Sequence, residues 1–221
     1  MTIVERFIAL IAPHVCKGCG AEGYVLCKDC VQGLQSVPPR CYACQRVMPD
    51  YRVCTACRRR SSLFAVKPVV AYATLPKAVI HSLKFARAEA AARDLAYAMA
   101  ARIEITGPLV ITHVPTVPAR VRVRGYDQAA LIARELSKLI NVPYTPLLAR
   151  TGSGRQVGQT RAQRRSQMER AFRMLGGVVE LPAHVLIIDD VLTTGATCEA
   201  AARVLRSAGA KRVSAAVFAV A

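Results

Sequence analysis

Two sets of residues in this chain have types and spacings that do chemistry. The first is the adjacent pair Asp189 and Asp190, with Thr193, Thr194, Gly195, Ala196 and Thr197 directly after it. An unbroken apolar run over residues 185–188 leads into the two acids, and an Ala-rich helical stretch over residues 198–207 follows the loop. The run predicts a buried parallel strand. The loop then becomes a helix N-terminus, whose free N–H groups and dipole favour a phosphate. Gly195 allows backbone to approach a ligand closely, and the three threonines add hydroxyl donors. Two carboxylates at the carboxyl end of such a strand can accept from sugar hydroxyls or hold a hydrated Mg²⁺. Phosphate donors and diol acceptors a few residues apart suit a ribose 5-phosphate.

The second set is eight of the nine cysteines, in four C-x-x-C pairs: Cys16/Cys19, Cys27/Cys30, Cys41/Cys44 and Cys54/Cys57. A two-residue spacing lets two thiolates clamp one metal from a tight turn, and two such turns complete a tetrahedral site. Two structural Zn²⁺ are expected, with disulfides, an iron–sulfur cluster or a single metal as alternatives. Sequential pairing makes a double zinc ribbon and alternate pairing a RING-like cross-brace. The ten residues between Cys30 and Cys41 include Pro38-Pro39 and read as a spacer, which favours the sequential arrangement.

The elements that must position these groups alternate in type. Residues 64–73 read as a strand, and residues 76–103 as a long Ala-rich helix softly broken near 86–89. A short buried strand at 109–113 precedes Val114-Pro115 and a loop rich in arginine, with Arg120, Arg122 and Arg124. Gly125-Tyr126-Asp127-Gln128 opens a helix to about residue 140. A strand near 142–148, a polar stretch over 150–173 and a last strand at 213–220 complete the pattern. Seven arginines against one glutamate in 150–173 suggest a lid over a substrate, or a polar loop that binds nothing. The alternation argues for a parallel sheet with helices on both faces. Residues 1–60 are expected to form an N-terminal helix and double zinc ribbon, and residues 61–221 the α/β domain. Arg58-Arg59-Arg60 reads as the linker between them.

Composition narrows the classes. The chain has 221 residues, is 53% hydrophobic and carries a net charge of +17, from 31 basic and 14 acidic residues. Such a field attracts polyanions and small anions alike. No apolar run is long enough to cross a bilayer, and a cytoplasmic location with reduced thiols is expected. A Walker-type ATPase is excluded, because residues 154–158 are one residue short of a phosphate loop and lack its lysine. With five Phe, seven Tyr and no Trp, no base-stacking platform is evident. His14, His81, His113 and His184 share no ligand spacing, and Cys198 reads as a buried packing residue.

The strand–acid–acid–loop stretch resembles the phosphoribosyl pyrophosphate loop of type I phosphoribosyltransferases. Taken with the paired cysteines, nearly the whole chain resembles the ComF family. Leu83-Lys84-Phe85 matches its L-K-[FY] element. Val114-Pro115 with Arg122-x-Arg124-Gly125-Tyr126-Asp127-Gln128-Ala129 matches its V-P…R-x-R-G-[FY]-N-Q-A stretch, with Asp127 in place of Asn. Arg150-Thr151, Gln156 and Ala171-Phe172 match a further stretch, in which Gln159 and Gln167 depart from the pattern.

The resemblance implies a type I phosphoribosyltransferase-like sheet preceded by a small zinc-ribbon domain. It implies binding of phosphoribosyl pyrophosphate with Mg²⁺ through Asp189, Asp190 and residues 193–197. Lys84, Arg122, Arg124 and Gln156 are the implied contacts on the pyrophosphate side. It also implies a part in competence and DNA uptake, with single-stranded DNA and a competence helicase as partners. Two functions follow: a phosphoribosyltransferase with an unidentified acceptor, or a nucleic-acid-handling protein that keeps the phosphoribosyl site as a regulatory module. No residue stands out as recognising a nucleobase.

Overall fold

A computed structural model describes residues 14–85, 88–104, 107–151, 171–176 and 180–221. Four parallel strands form the central sheet: β1 (Val66–Ala71), β2 (Val110–His113), β5 (His184–Leu192) and β6 (Arg212–Val220), in the order β1-β6-β5-β2. β5, the strand that carries the acid pair near its carboxyl end, is therefore interior. It runs beside β6 from His184↔Arg212 to Leu192↔Val220 and beside β2 from Val110↔Val185 to His113↔Ile188. The segment after β2's neighbouring helix adds a bridge at Ile111↔Tyr144. A separate antiparallel pair joins β3 (Leu148–Arg150) to β4 (Phe172–Met174).

Alternation along the strands divides the core into two layers, because successive side chains leave opposite faces. On one face Leu186, Ile188, Ala216 and Phe218 pack against α3 (Thr74–Phe85), α4 (Ala88–Ala100) and α6 (Gln128–Ile140). On the other, Val185, Ile187, Val213, Ala215 and Val217 pack against α7 (Ala196–Ser207). The helix expected over 76–103 is described as two, Thr74–Phe85 and Ala88–Ala100, and the residues between them lie outside the described ones.

Two stretches differ from expectation. The strand expected near 142–148 is reduced to the bridge at Tyr144, and the paired strand there is β3, Leu148–Arg150. The arginine-rich loop is a helix, α5 (Pro118–Arg124), with Pro118 at its start and Gly125 at φ 82° closing it. Proline's fixed φ suits the first helical turn, and a left-handed glycine suits the stop. Composition alone obscured these two caps. Asp127 then caps α6, accepting from the N–H groups of Ala129 and Ala130, as Asn would at the same position.

The cysteine-rich segment is divided by the sheet. Val25, Leu26 and Val31, with the short helix α1 (Lys28–Gln32), join the layer of α3 and α4. Cys41, Val53, Cys54 and Leu63, with the short helix α2 (Thr55–Arg58), join the layer of α7. The chain between crosses the β1 edge, with a bridge at Ser36↔Val70. Arg102 anchors that crossing by donating to the carbonyls of Val31 and Leu34, each at 2.9 Å. The expected N-terminal helix lies outside the described residues, as does most of the 150–173 stretch.

Candidate functional site

The site begins at the carboxyl end of β5. The N–H of Asp190 donates to Oδ1 of Asp189 at 2.8 Å, which fixes the two carboxylates relative to each other. Asp190 is buried, at 6% exposure, and its charge is met from two sides. Lys84 Nζ lies 3.0 Å from its Oδ2, and Gln128 Nε2 donates to the same oxygen at 3.3 Å. Lys84 comes from the end of α3 and Gln128 from the first turn of α6, so three elements converge on one carboxylate. Arg124 in turn donates to Gln128 Oε1. The Tyr126 hydroxyl donates to the Leu83 carbonyl at 2.8 Å, tying the α5–α6 turn to the segment that carries Lys84.

Among the described residues, Asp189 has no such ion pair. Burial, and then the neighbouring Asp190 charge, push its carboxyl well above the usual carboxylate range. Although the residue is partly open to solvent, its carboxylate is densely enclosed, and the low local polarity disfavours its charged form. A cation or a sugar diol at this oxygen would relieve that cost. Arg150, on β3, is close enough for Asp189 to favour its charge, against the lowering effects of burial and then of Arg120.

The loop that follows is formed as its residue types require. Gly195 has φ 76° and starts α7 as its N-cap, a conformation costly for any residue with a Cβ. Thr193, Thr194 and Ala196 are exposed, Thr197 is half-buried, and Gly195 is buried. The Thr194 hydroxyl accepts from the Ala196 N–H at 3.4 Å. Exposed hydroxyls and the free N–H groups of a 12-residue helix share this end of the sheet.

Of the residues expected on the pyrophosphate side, Lys84 and Arg124 reach the acid pair, directly or through Gln128. Arg122 stands exposed on α5. Gln156 lies outside the described residues. Sequence reasoning assigned no role to Gln128 and Tyr126, though both sit in the motif that carried Arg124. It also passed over His113, which lies buried at the carboxyl end of β2. His113 Nδ1 meets the Tyr144 hydroxyl at 2.9 Å, and its Nε2 lies 3.8 Å from Asp127. Burial lowers the pKa of His113, against the pull of Asp127. The imidazole is therefore neutral at pH 7, and its contact with Asp127 is not an ion pair there.

The eight paired cysteines form two clusters: Cys16, Cys19, Cys27 and Cys30, and Cys41, Cys44, Cys54 and Cys57. Pairing is sequential. Within each cluster the ligand atoms lie within 4.8 Å of one another. Two separations are 3.5 Å, Cys19 to Cys27, and 3.6 Å, Cys44 to Cys54. A tetrahedron with Zn–S bonds of about 2.3 Å has edges of about 3.8 Å, so both clusters fit a single Zn²⁺. Charge is prepared as well. Burial opposes ionisation of Cys16, but backbone N–H groups of Cys27, Cys19 and Gly18 bring its thiol down to about 6. Cys41 repeats this: burial is outweighed by N–H groups of Cys54, Cys44 and Ala43, and its thiol also falls to about 6. Each cluster thus presents a thiolate at neutral pH to begin metal capture. A Cβ on Gly18 would stand 2.6 Å from Cys30 Sγ, so the first knuckle closes only around glycine.

Comparison with known proteins gives this arrangement a family. The model of the phosphoribosyl transferase domain matches residues 123–220. Competence protein F of Haemophilus influenzae is 30% identical over 109 residues, 48% of each chain. The DNA utilization protein YhgH of Escherichia coli O157:H7 is 32% identical over 157 residues, covering 66% of this chain and 67% of that one. The chain belongs to the ComF family. Its match spans about half of the first of these relatives and two thirds of the second. Among solved structures, the glutamine phosphoribosylpyrophosphate amidotransferase from B. subtilis, complexed with ADP and GMP, aligns over 58% of this chain and 26% of that one. The identity is 22% and the TM-score 0.42. The ComF chain combines a phosphoribosyltransferase-type parallel sheet, as the match over residues 123–220 shows, with two Cys₄ clusters. Among the described residues, no helix is long and apolar enough to cross a membrane.

Proposed function

We propose that this ComF protein binds phosphoribosyl pyrophosphate with Mg²⁺ at the carboxyl end of β5 and serves DNA uptake. The observation that carries the reading is an acid pair in which, among the described residues, one acid is ion-paired and the other is not. Asp190 is held by Lys84 and Gln128, whereas Asp189 stays unpaired by any cation within 4 Å among the described ion pairs. In this reading Asp189 and Asp190 accept from the ribose hydroxyls and the hydrated Mg²⁺. Thr193, Thr194, Gly195, Ala196 and Thr197 surround the 5-phosphate with hydroxyl and N–H donors. Lys84, Arg124, Arg122 and Gln156 face the pyrophosphate, where guanidinium forks match its oxygens. Departure of pyrophosphate develops charge on the leaving group, which these cations would stabilise in a transfer reaction.

A second reading, nucleic-acid handling with the phosphoribosyl site as a regulatory module, draws on a separate surface. Arg58, Arg212 and Arg52 gather over the Phe64 ring, at 4.4, 4.2 and 5.5 Å from its centroid. Phe64 is joined to the amino end of β6 through Val213, at the end of the sheet away from Asp189. Asp50, 3.4 Å from Arg52, offsets only part of this charge. Such a cluster suits a phosphodiester backbone, with single-stranded DNA as the partner. The names of the relatives support the same role.

Calorimetric titration with phosphoribosyl pyrophosphate and Mg²⁺ tests the first reading. Wild type should bind, and Asp189→Asn together with Asp190→Asn should bind at least tenfold more weakly, a loss of about 1.4 kcal/mol or more. Unchanged affinity in the double variant removes the assigned contacts. Titration with short single-stranded DNA at two salt concentrations tests the second, since phosphate contacts weaken steeply with salt.

A further inference from the structure

The second Cys₄ cluster touches the phosphate loop through one residue. Tyr42 follows Cys41, a fully buried member of that cluster. The Tyr42 ring is packed on Gly195: carbons Cε2 and Cδ2 lie 2.7 and 2.8 Å from where a Cβ on Gly195 would stand. Its hydroxyl donates to Glu199 Oε2 at 2.9 Å, in the first turn of α7. The same carboxylate accepts from the Ser61 hydroxyl at 2.8 Å, and its other oxygen from the Ser62 N–H at 2.6 Å. Ser61 also lies 3.1 Å from the Tyr42 hydroxyl. One side chain of the knuckle therefore holds the loop at two points, the glycine that turns it and the helix that follows it.

Gly195 meets two demands here. Its positive φ requires a residue without Cβ, and the Tyr42 ring fills the space that a Cβ would take. The first Cys₄ cluster lies on the other face of the sheet and packs with the α3–α4 layer, so it makes no comparable bridge to α7 among the described contacts. The two metal sites thus differ in their relation to the loop.

We propose that Tyr42 is a positioning residue for the phosphate loop, through which the second Cys₄ cluster and ligand binding at residues 193–197 are coupled. The inference rests on the phosphoribosyl reading of that loop for its ligand, though the mechanical contact does not. A metal-ordered knuckle holds Tyr42 against Gly195 and Glu199, so the loop is preformed before ligand arrives. By reciprocity, ligand bound at the loop must favour metal retention at the second cluster.

The test uses the full chain loaded with zinc, with Tyr42→Ala and Tyr42→Phe beside wild type. Three quantities are read: affinity for phosphoribosyl pyrophosphate with Mg²⁺, zinc per chain, and amide hydrogen exchange across residues 193–199. Tyr42→Ala should bind about tenfold more weakly, in the ordinary range of coupling between sites, and exchange faster at 193–199. Tyr42→Phe keeps the ring on Gly195 and should recover most of the affinity, to within about threefold of wild type, a small part of that coupling. A structural role alone would shift overall stability without this graded, local response. Unchanged affinity and unchanged local exchange in Tyr42→Ala overturn the proposal, and so does a Tyr42→Phe variant as impaired as the alanine. If wild type fails to bind the ligand, the phosphoribosyl reading falls, while faster exchange at 193–199 in Tyr42→Ala still upholds the contact and unchanged exchange still overturns it.

Discussion

Asp94 offers a quantitative test of how the first cysteine cluster is seated. It lies on α4 at 3% exposure, and its Oδ2 accepts the backbone N–H groups of Val25 at 2.6 Å and Leu26 at 3.0 Å. Both donors belong to the segment between Cys19 and Cys27, so one carboxylate of the helical layer holds the turn of the metal site. Replacing Asp94 by Ala leaves two buried donors unmet. At about 1–3 kcal/mol for each orphaned donor, less the relief of removing a buried charge, the loss should be about 2–4 kcal/mol. Asn can place its own oxygen where Oδ2 stands and keep both bonds. It loses only the strengthening that charge provides, about 1 kcal/mol. The Arg93 contact to Oδ1, at 3.3 Å with Arg93 half exposed, adds little to either figure. Denaturant unfolding at saturating zinc reads the difference, as a fall in midpoint at constant slope. In thermal unfolding the Ala variant should melt roughly 4–16 °C lower for a chain of this size. An Ala variant within 0.5 kcal/mol of wild type would refute the reasoning, as would an Asn variant as damaged as Ala.

Two further outcomes follow from the same geometry. Elemental analysis of the reduced protein should find two Zn²⁺ per chain, and stripping them should destabilise both faces of the sheet, because Val25 and Leu26 pack on one and Val53 and Leu63 on the other; a metal-free preparation of undiminished stability contradicts this. The pH dependence of Asp189 should carry opposite signs for folding and for binding. Burial raises its folded pKa above the ordinary 3.8, so its stabilising contribution is full below that value and is lost as pH rises through the folded value. Asp189→Asn, which never ionises, should therefore be more stable than wild type at neutral pH, with the gap closing toward pH 4. Affinity for the Mg²⁺ complex should fall over the same acidic window, since the metal requires the carboxylate. A stability gap independent of pH would show that Asp189 is not penalised by its surroundings.

Much of the fold could be read along the chain. The apolar run before Asp189, the alternation of elements and the helix after Gly195 are local patterns, and local patterns report secondary structure well. The helix at Pro118–Arg124 was missed because its arginines resemble a loop, while the signals that define it are the proline and glycine at its two ends. At the candidate site, Asp189, Asp190 and residues 193–197 could be singled out because they are consecutive. Lys84 and Arg124 carry only a motif resemblance in the sequence, and nothing local to Gln128 indicates that its partner is Asp190.

The sequence by itself determined that the chain has two Cys₄ sets, a strand ending in paired acids and a glycine-turned loop opening a helix. All of these depend on spacings of a few residues. The tertiary structure decided which partner each group meets. Asp190 takes its cation from Lys84, 106 positions earlier in the numbering, and Gly195 takes its contact from Tyr42. It also decided that the two cysteine clusters seat on opposite faces of one sheet, with Asp94 holding one and Glu199 tied to the other. Buried polar groups must find partners wherever folding brings them, and chain order sets no limit on that distance. Periodicity and spacing therefore specify the parts of this ComF protein, and burial, by enforcing pairing between remote residues, joins the second Cys₄ cluster to the loop after β5.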